Sequence, residues 1–165
     1  MSRGTFVGLV HLDDSLQKWR KNQRERFYNI YLKNEHSINN WDLVDNSADH
    51  MVGAYQFDKD GSVLDDLTRS KKIWGRRIAM MATFYHSKRR EFDRPLQVAQ
   101  LLFYDNEDLI HKALSCMPRE IGKRDLVVEE SYLQTCYHEM PRAMLRYAIE
   151  KVCRINRLSY FHAMV

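Results

Sequence analysis

The sequence predicts an all-helical protein built from stacked helix pairs. Glycine and proline are sparse, six and three among 165 residues, so few positions interrupt a helix. The apolar–polar alternation of a half-buried strand is nearly absent, and apolar residues recur every three to four positions instead. A weak internal repeat completes the picture. "IWGRRIAMM" (73–81) aligns with "LIHKALSCM" (109–117) after a shift of 36 residues, and "MPRAMLRYAI" (140–149) is a looser third copy. Each copy joins a basic residue to an apolar strip and follows a more ordinary outer helix. Helix pairs at such a spacing stack on one another, as HEAT-like repeats of about 40 residues do. The expected fold class is all-α, with HEAT-like helical repeats forming a curved α-solenoid whose inner helices line a basic concave side.

The periodicity places helices at 15–33, 41–56, 62–69, 72–86, 92–103, 108–121, 125–138 and 141–153, with a further one at 155–163. Asn39 or Asn40 caps the second of these and Asp42 lies in its positively polarised first turn. Asp105 or Asn106 caps the sixth, and Gly122 stops it. Pro141 fits the first turn of the eighth. At 165 residues the chain forms one domain, 1–165, with residues 1–14 loosely ordered. No low-complexity segment or linker divides it.

Composition narrows the function classes. Hydrophobic residues make up 44% and charged residues 29%, as in a soluble globular domain. No apolar run reaches the roughly 20 residues of a membrane span, and the apolar start is cut short by His11, Asp13 and Asp14, unlike a secretory signal. Cys116, Cys136 and Cys153 form no CxxC pair and read as reduced thiols of a cytoplasmic protein. The seven histidines are scattered, with no HExxH, Walker loop or GxGxxG, so neither a metal site nor a nucleotide cofactor is expected. Met80 and Met81 read as core filler.

Lys and Arg exceed Asp and Glu by 26 to 22, and the excess is uneven. "QKWRKNQRERFYNIYLK" (17–33), "RSKKIWGRR" (69–77) and "SKRREFDR" (87–94) are basic runs. Such patches suit a polyanion, although solvated helix faces look the same in sequence. Trp74 and Arg77 lie three apart on one helix face, where a guanidinium can rest on an indole. Arg142 and Arg146 share a face opposite Met144, Leu145, Ala148, Ile149 and Val152, and Glu150 stands four beyond Arg146 as a surface salt-bridge partner. In "NNWDLVD" (39–45), Trp41 and Asp45 share a helix face at i and i+4. On spacing alone they read as an ordinary core tryptophan and a helix-surface acid.

Four segments carry a resemblance. "INNWDLVD" (38–45), "IWGRRIAMMATFY" (73–85), "DLIHKALSCMPREIGKRD" (108–125) and "MPRAMLRYAIEK" (140–151) resemble, in order and spacing, the DNA alkylation repair (AlkD-like) family. The resemblance implies a HEAT-like repeat fold. It implies monofunctional DNA glycosylase activity on alkylated purines such as 3-methyladenine and 7-methylguanine in duplex DNA, without a cofactor. It makes Asp45 and Trp41 the catalytic pair. Arg77, with Trp74, Arg76, Lys112, Arg119, Arg142 and Arg146, would meet the DNA, and the location would be cytoplasmic, at the nucleoid. No membrane and no obligate protein partner is inferred. Cys116 stands where the family has a second tryptophan, and Pro118 stands where it continues a helix. One or two further N-terminal repeats of the family are expected to be missing. Those departures suit a second reading, a shortened non-catalytic HEAT-like DNA-binding module. A helical scaffold for protein partners is a third.

Overall fold

The computed structural model describes residues 21–150. The expectations for residues 1–14, for the start of the first helix, for Cys153 and for a helix at 155–163 lie outside those residues. Eight principal helices follow one another, and no strand occurs among the described residues. Residues 21–33 form α1, and a helical run from Trp41 to Gln56 follows, whose regular first part, Trp41–Ala48, is α2. Then come α3 (Ser62–Thr68), α4 (Ile73–Ala82), α5 (Asp93–Leu102), α6 (Asp108–Gly122), α7 (Leu126–Cys136) and α8 (Arg142–Ala148). Helices α2, α4, α6 and α8 pack in chain order as one layer. Helix α1 docks on α2, α3 on α4, α5 on α4 and α6, and α7 on α6. The outcome is the two-layer, α-solenoid-like arrangement that the repeat predicts.

Each pair closes on an apolar stripe. α4 lies at the centre and is buried almost all round, with Ile78, Ala79 and Met80 wholly enclosed. Ile110, Leu114, Met117 and Ile121 form one face of α6, as i, i+4, i+7 and i+11 positions must. Burying each such side chain contributes about 1.5–3 kcal/mol. Met80 and Met81 are core residues, as read from the sequence. α1 joins through tyrosines rather than aliphatics. Tyr28 stacks on Tyr55 at 4.2 Å and accepts a hydrogen bond from Gln56 Nε2 at 2.6 Å, while the Tyr31 and Ser47 hydroxyls meet at 2.9 Å.

The ends of the helices show the local chemistry at work. Asn40 caps α2, its side-chain oxygen accepting from the Asp42 N–H at 3.0 Å. Asp125 caps α7 by accepting from Val127 and Val128. Gly61 precedes α3 at φ 76°, a left-handed conformation, and the Arg94 guanidinium occupies the space a Cβ would need. Three expectations need correction. The residue capping α6 is Glu107, because Asp105 turns back to hold Arg76. Pro141 is the N-cap of α8, one residue ahead of its first turn. The predicted helix at 72–86 breaks at Thr83, whose hydroxyl bonds the Met80 carbonyl, before a short helical turn at Phe84–Ser87.

Two irregularities lie inside helices. Asp49–Gly53 is a π turn, closed by the Ala54 N–H reaching the Asp49 carbonyl five residues back. A Cβ on Gly53 would collide with the Ala82 carbonyl, so only glycine lets this turn press on the end of α4. Pro118 does not stop α6, which runs unbroken to Gly122. The proline forfeits the bond to the Leu114 carbonyl, a loss of about 3 kcal/mol in an isolated helix, but it is itself buried between Met117 and Ile121 in the packed face.

Gly122 makes room for Glu129 of α7, since a Cβ there would overlap the carboxyl group. Glu129 is buried, one of its oxygens lacks a hydrogen-bond partner among the described residues, and its pKa is pushed up to about 7. Burial is the main cause, Glu130 adds to the rise and Arg119 opposes it. The unfolded chain loses this proton near the ordinary glutamate value. Between there and about 7, therefore, the folded state holds a proton that the unfolded state has given up, and stability falls as pH rises. The expected loss across the window is on the order of 2–3 kcal/mol. Urea denaturation between about pH 5 and about pH 8 should show it, and Glu129→Gln should remove that part of the slope. Identical pH dependence in the two proteins would exclude Glu129 as its source.

Candidate active site

α2 begins where the Asn40 cap fixes its first turn, and that places Trp41 and Asp45 one above the other on the side facing α4 and α6. Arg77, at the middle of α4, reaches across. Its Nε donates to Asp45 Oδ1 at 2.9 Å and its Nη2 to Asp45 Oδ2 at 2.7 Å, a two-point fork. Its Nη1 donates to the Leu109 carbonyl at the start of α6. One guanidinium thus joins three successive inner helices. The Arg77 side chain is 5% exposed and that of Asp45 26%, so the arginine is internal while the carboxylate keeps an open side.

That open side faces a cleft of about 410 Å³ lined by Trp41, Asp45, Arg77, Leu109, Lys112, Ser115, Cys116, Arg119 and Tyr147. Trp41 is 52% exposed, high for a side chain of this size. It is no core tryptophan. Cys116 of α6 forms part of the wall. Burial pushes its thiol pKa up, Arg119 and Arg77 pull it back, and Asp45 and Glu150 add to the rise. A raised thiol pKa means less thiolate, so Cys116 serves as a small, unreactive wall. At the far side Arg119 donates to the Glu150 carboxylate. Among the described residues no group of three His, Cys, Asp or Glu could hold a metal.

The cleft gathers some of the sequence-predicted residues and leaves others outside. Trp41, Asp45, Arg77, Lys112 and Arg119 meet in it. Arg146 lines an adjoining recess of about 190 Å³, together with Asp108, His111, Lys112 and Tyr147. Arg142 is exposed on α8, apart from both hollows. Trp74 packs on the core, and Arg76 is held by Asp105 at 2.6 Å and by the Ser70 carbonyl at 3.0 Å. Arg77 does not rest on Trp74, since its guanidinium is committed to Asp45 and Leu109. Glu150 pairs with Arg119 rather than with Arg146. Sequence reasoning missed Tyr147. Its signal is faint, an aromatic at the edge of an apolar stripe made by Met144, Leu145 and Ala148.

The family model described as DNA alkylation repair enzyme matches residues 7–152. The chain belongs to the DNA alkylation repair enzyme family. The match extends further toward the N-terminus than the four motifs do. Comparison with curated proteins and with solved structures returned no match. Family membership assigns the chain to the repair of alkylated DNA, and the cleft is the place where a fixed carboxylate meets open space.

The fork makes a structural prediction. Removing Arg77 leaves the half-buried Asp45 carboxylate and the Leu109 carbonyl without their donor, at a cost of about 1–3 kcal/mol. Arg77→Ala should therefore lower the urea midpoint by about that much free energy. Arg77→Lys should recover little, because an ammonium cannot span both carboxylate oxygens and the Leu109 carbonyl together. Wild-type stability in Arg77→Ala would show that the fork contributes nothing to the packing of α2, α4 and α6.

Proposed function

We propose that the protein is a monofunctional DNA glycosylase that hydrolyses the N-glycosidic bond of alkylated purines, 3-methyladenine and 7-methylguanine, in duplex DNA. The observation that carries this reading is Asp45, oriented by the Arg77 fork at the wall of an open cleft beside an exposed Trp41.

The chemistry asks for little else. Alkylation at N3 or N7 makes the purine cationic, so the base departs as a neutral molecule and needs no general acid. As the bond from C1′ to N9 breaks, its electron pair leaves with the base, and positive charge develops on the deoxyribose. A carboxylate fixed beforehand stabilises that charge without reorganising. Its free lone pairs also orient a water whose oxygen bonds to C1′ and whose proton is given up to the carboxylate and then to solvent. Trp41 packs against the sugar and excludes bulk water. No cofactor enters this scheme.

Binding is the task of other groups. Arg77 is spent inside the protein, so its part is to aim Asp45 rather than to hold phosphate. Lys112, Arg142 and Arg146 are exposed and have no carboxylate partner among the described residues, and they suit the phosphates that supply most of the affinity. Arg119 joins them once it leaves Glu150. In this reading the substrate is chromosomal DNA and the enzyme works at the nucleoid, in the cytoplasm.

Asp45→Asn keeps the shape and removes the charge. Single-turnover release of 7-methylguanine should fall by at least about 100-fold, the scale of one preorganised electrostatic group, while duplex affinity holds or rises. Equal release by variant and parent would remove Asp45 from the mechanism. Duplex binding without any base release by the parent would favour a binding module instead. A second measurement addresses the phosphate contacts. Lys112→Ala should weaken damaged and undamaged duplex alike and flatten the salt dependence by about one unit. An unchanged slope would place Lys112 away from the DNA.

A further inference from the structure

The cleft and the recess beside it share two residues, Lys112 and Tyr147. Tyr147 is 39% exposed, and no described residue bonds its hydroxyl. It stands apart from the buried Met144, Leu145 and Ala148 of its own helix. Tyr147 is the one aromatic residue common to both hollows. Asp45 and Trp41 line the cleft, while His111, Arg146 and the largely solvent-facing Asp108 line the recess. The Arg146 guanidinium lies 5.3 Å from the ring centroid, within cation–π range, and Arg146 lines the recess but not the cleft.

A nucleotide has the same two-part chemistry, an apolar sugar face next to a phosphodiester. The cleft has one aromatic wall in Trp41. The α6 residues that line it, Leu109, Lys112, Ser115, Cys116 and Arg119, include no aromatic ring, and Tyr147 is the one other aromatic of its lining. We propose that Tyr147 is the second aromatic wall of the site. Its ring packs on the deoxyribose of the reacting nucleotide, and the phosphodiester of that nucleotide lies in the recess behind it, between Lys112 and Arg146. This inference rests on the glycosylase reading and adds to it a positioning residue and a phosphate subsite.

Lys112 lines both hollows, as a residue next to the junction of sugar and phosphate would. His111 is turned away from the phosphate position, its Nε2 lying 2.6 Å from the Asp105 carbonyl. The Tyr147 hydroxyl has no bond to a described residue, so the proposed wall is the ring and not the hydroxyl. Phenylalanine should replace it and alanine should not.

The test compares the parent, Tyr147→Phe and Tyr147→Ala on three duplexes. One contains 7-methylguanine, one carries a cationic pyrrolidine in place of a single deoxyribose, and one is undamaged. Tyr147→Ala should slow single-turnover base release roughly tenfold and weaken binding of the pyrrolidine duplex by a similar factor, within the range for stacking on one aromatic. Its affinity for undamaged duplex should change by less than about twofold, since phosphate contacts dominate there. Tyr147→Phe should match the parent in all three, and equal melting temperatures separate positioning from folding. If the parent releases base and prefers the pyrrolidine duplex but Tyr147→Ala does the same equally well, the assignment of Tyr147 is wrong and the glycosylase reading stands. A parent that neither releases base nor distinguishes the pyrrolidine duplex overturns both.

Discussion

The arrangement depends on one guanidinium that is almost wholly buried. Arg77 lies in the middle of the most enclosed helix, and a bare charge there would be untenable. It is tolerated because Asp45 comes from α2 and the Leu109 carbonyl from α6, both at bonding distance. Those two demands set how α2 and α6 sit against α4. The desolvation cost of such a pair roughly offsets its attraction, so the fork specifies geometry more than it adds stability. The reward is a carboxylate that cannot swing. On the neighbouring position, Arg76 ties α4 to the segment ahead of α6 through Asp105. Two adjacent arginines thereby fix the same joint from different sides.

The basic runs look different once their partners are known. Of the cations in 69–77 and 87–94, Arg69 pairs with Asp66, Arg76 with Asp105, Arg77 with Asp45, Lys88 with Asp49 and Arg94 with Asp65. Four of those pairs, all but the exposed Arg69–Asp66 contact, stitch distant segments together. The exposed cations that border the cleft and its recess, Lys112 and Arg146, sit on α6 and α8, in segments that are not notably basic in sequence. Charge density along a chain is a poor guide to charge density on a surface when acidic partners come from distant positions.

The same distinction explains what the sequence could reveal. Helix positions and the stacking of α4, α6 and α8 were legible because they follow from periodicity and from a repeat, both local properties. Trp41 and Asp45 sharing a face was legible for the same reason. The fork was not, since Asp45 and Arg77 are joined across 32 positions and nothing local announces it. Tyr147 escaped because its importance comes from lining two hollows that exist only after folding. Asp105 misled as a helix cap because a side chain with the right chemistry for one task was taken by a stronger partner, a guanidinium. Pro118 reads as a helix breaker on propensity alone, but tertiary packing overrides propensity in the buried face of α6.

The π turn at Asp49–Gly53 gives the helical run from Trp41 to Gln56 an unusual property. An inserted residue shifts the angular phase of everything beyond it, so the run is two helices spliced at a dislocation. The first half is aimed at the cleft through Trp41 and Asp45, and the second at α1 through Tyr55 and Gln56. A regular helix would couple those directions rigidly, and correcting one would spoil the other. With the splice in place, the face that meets the substrate and the face that anchors the outer layer are free to diverge separately over evolutionary time.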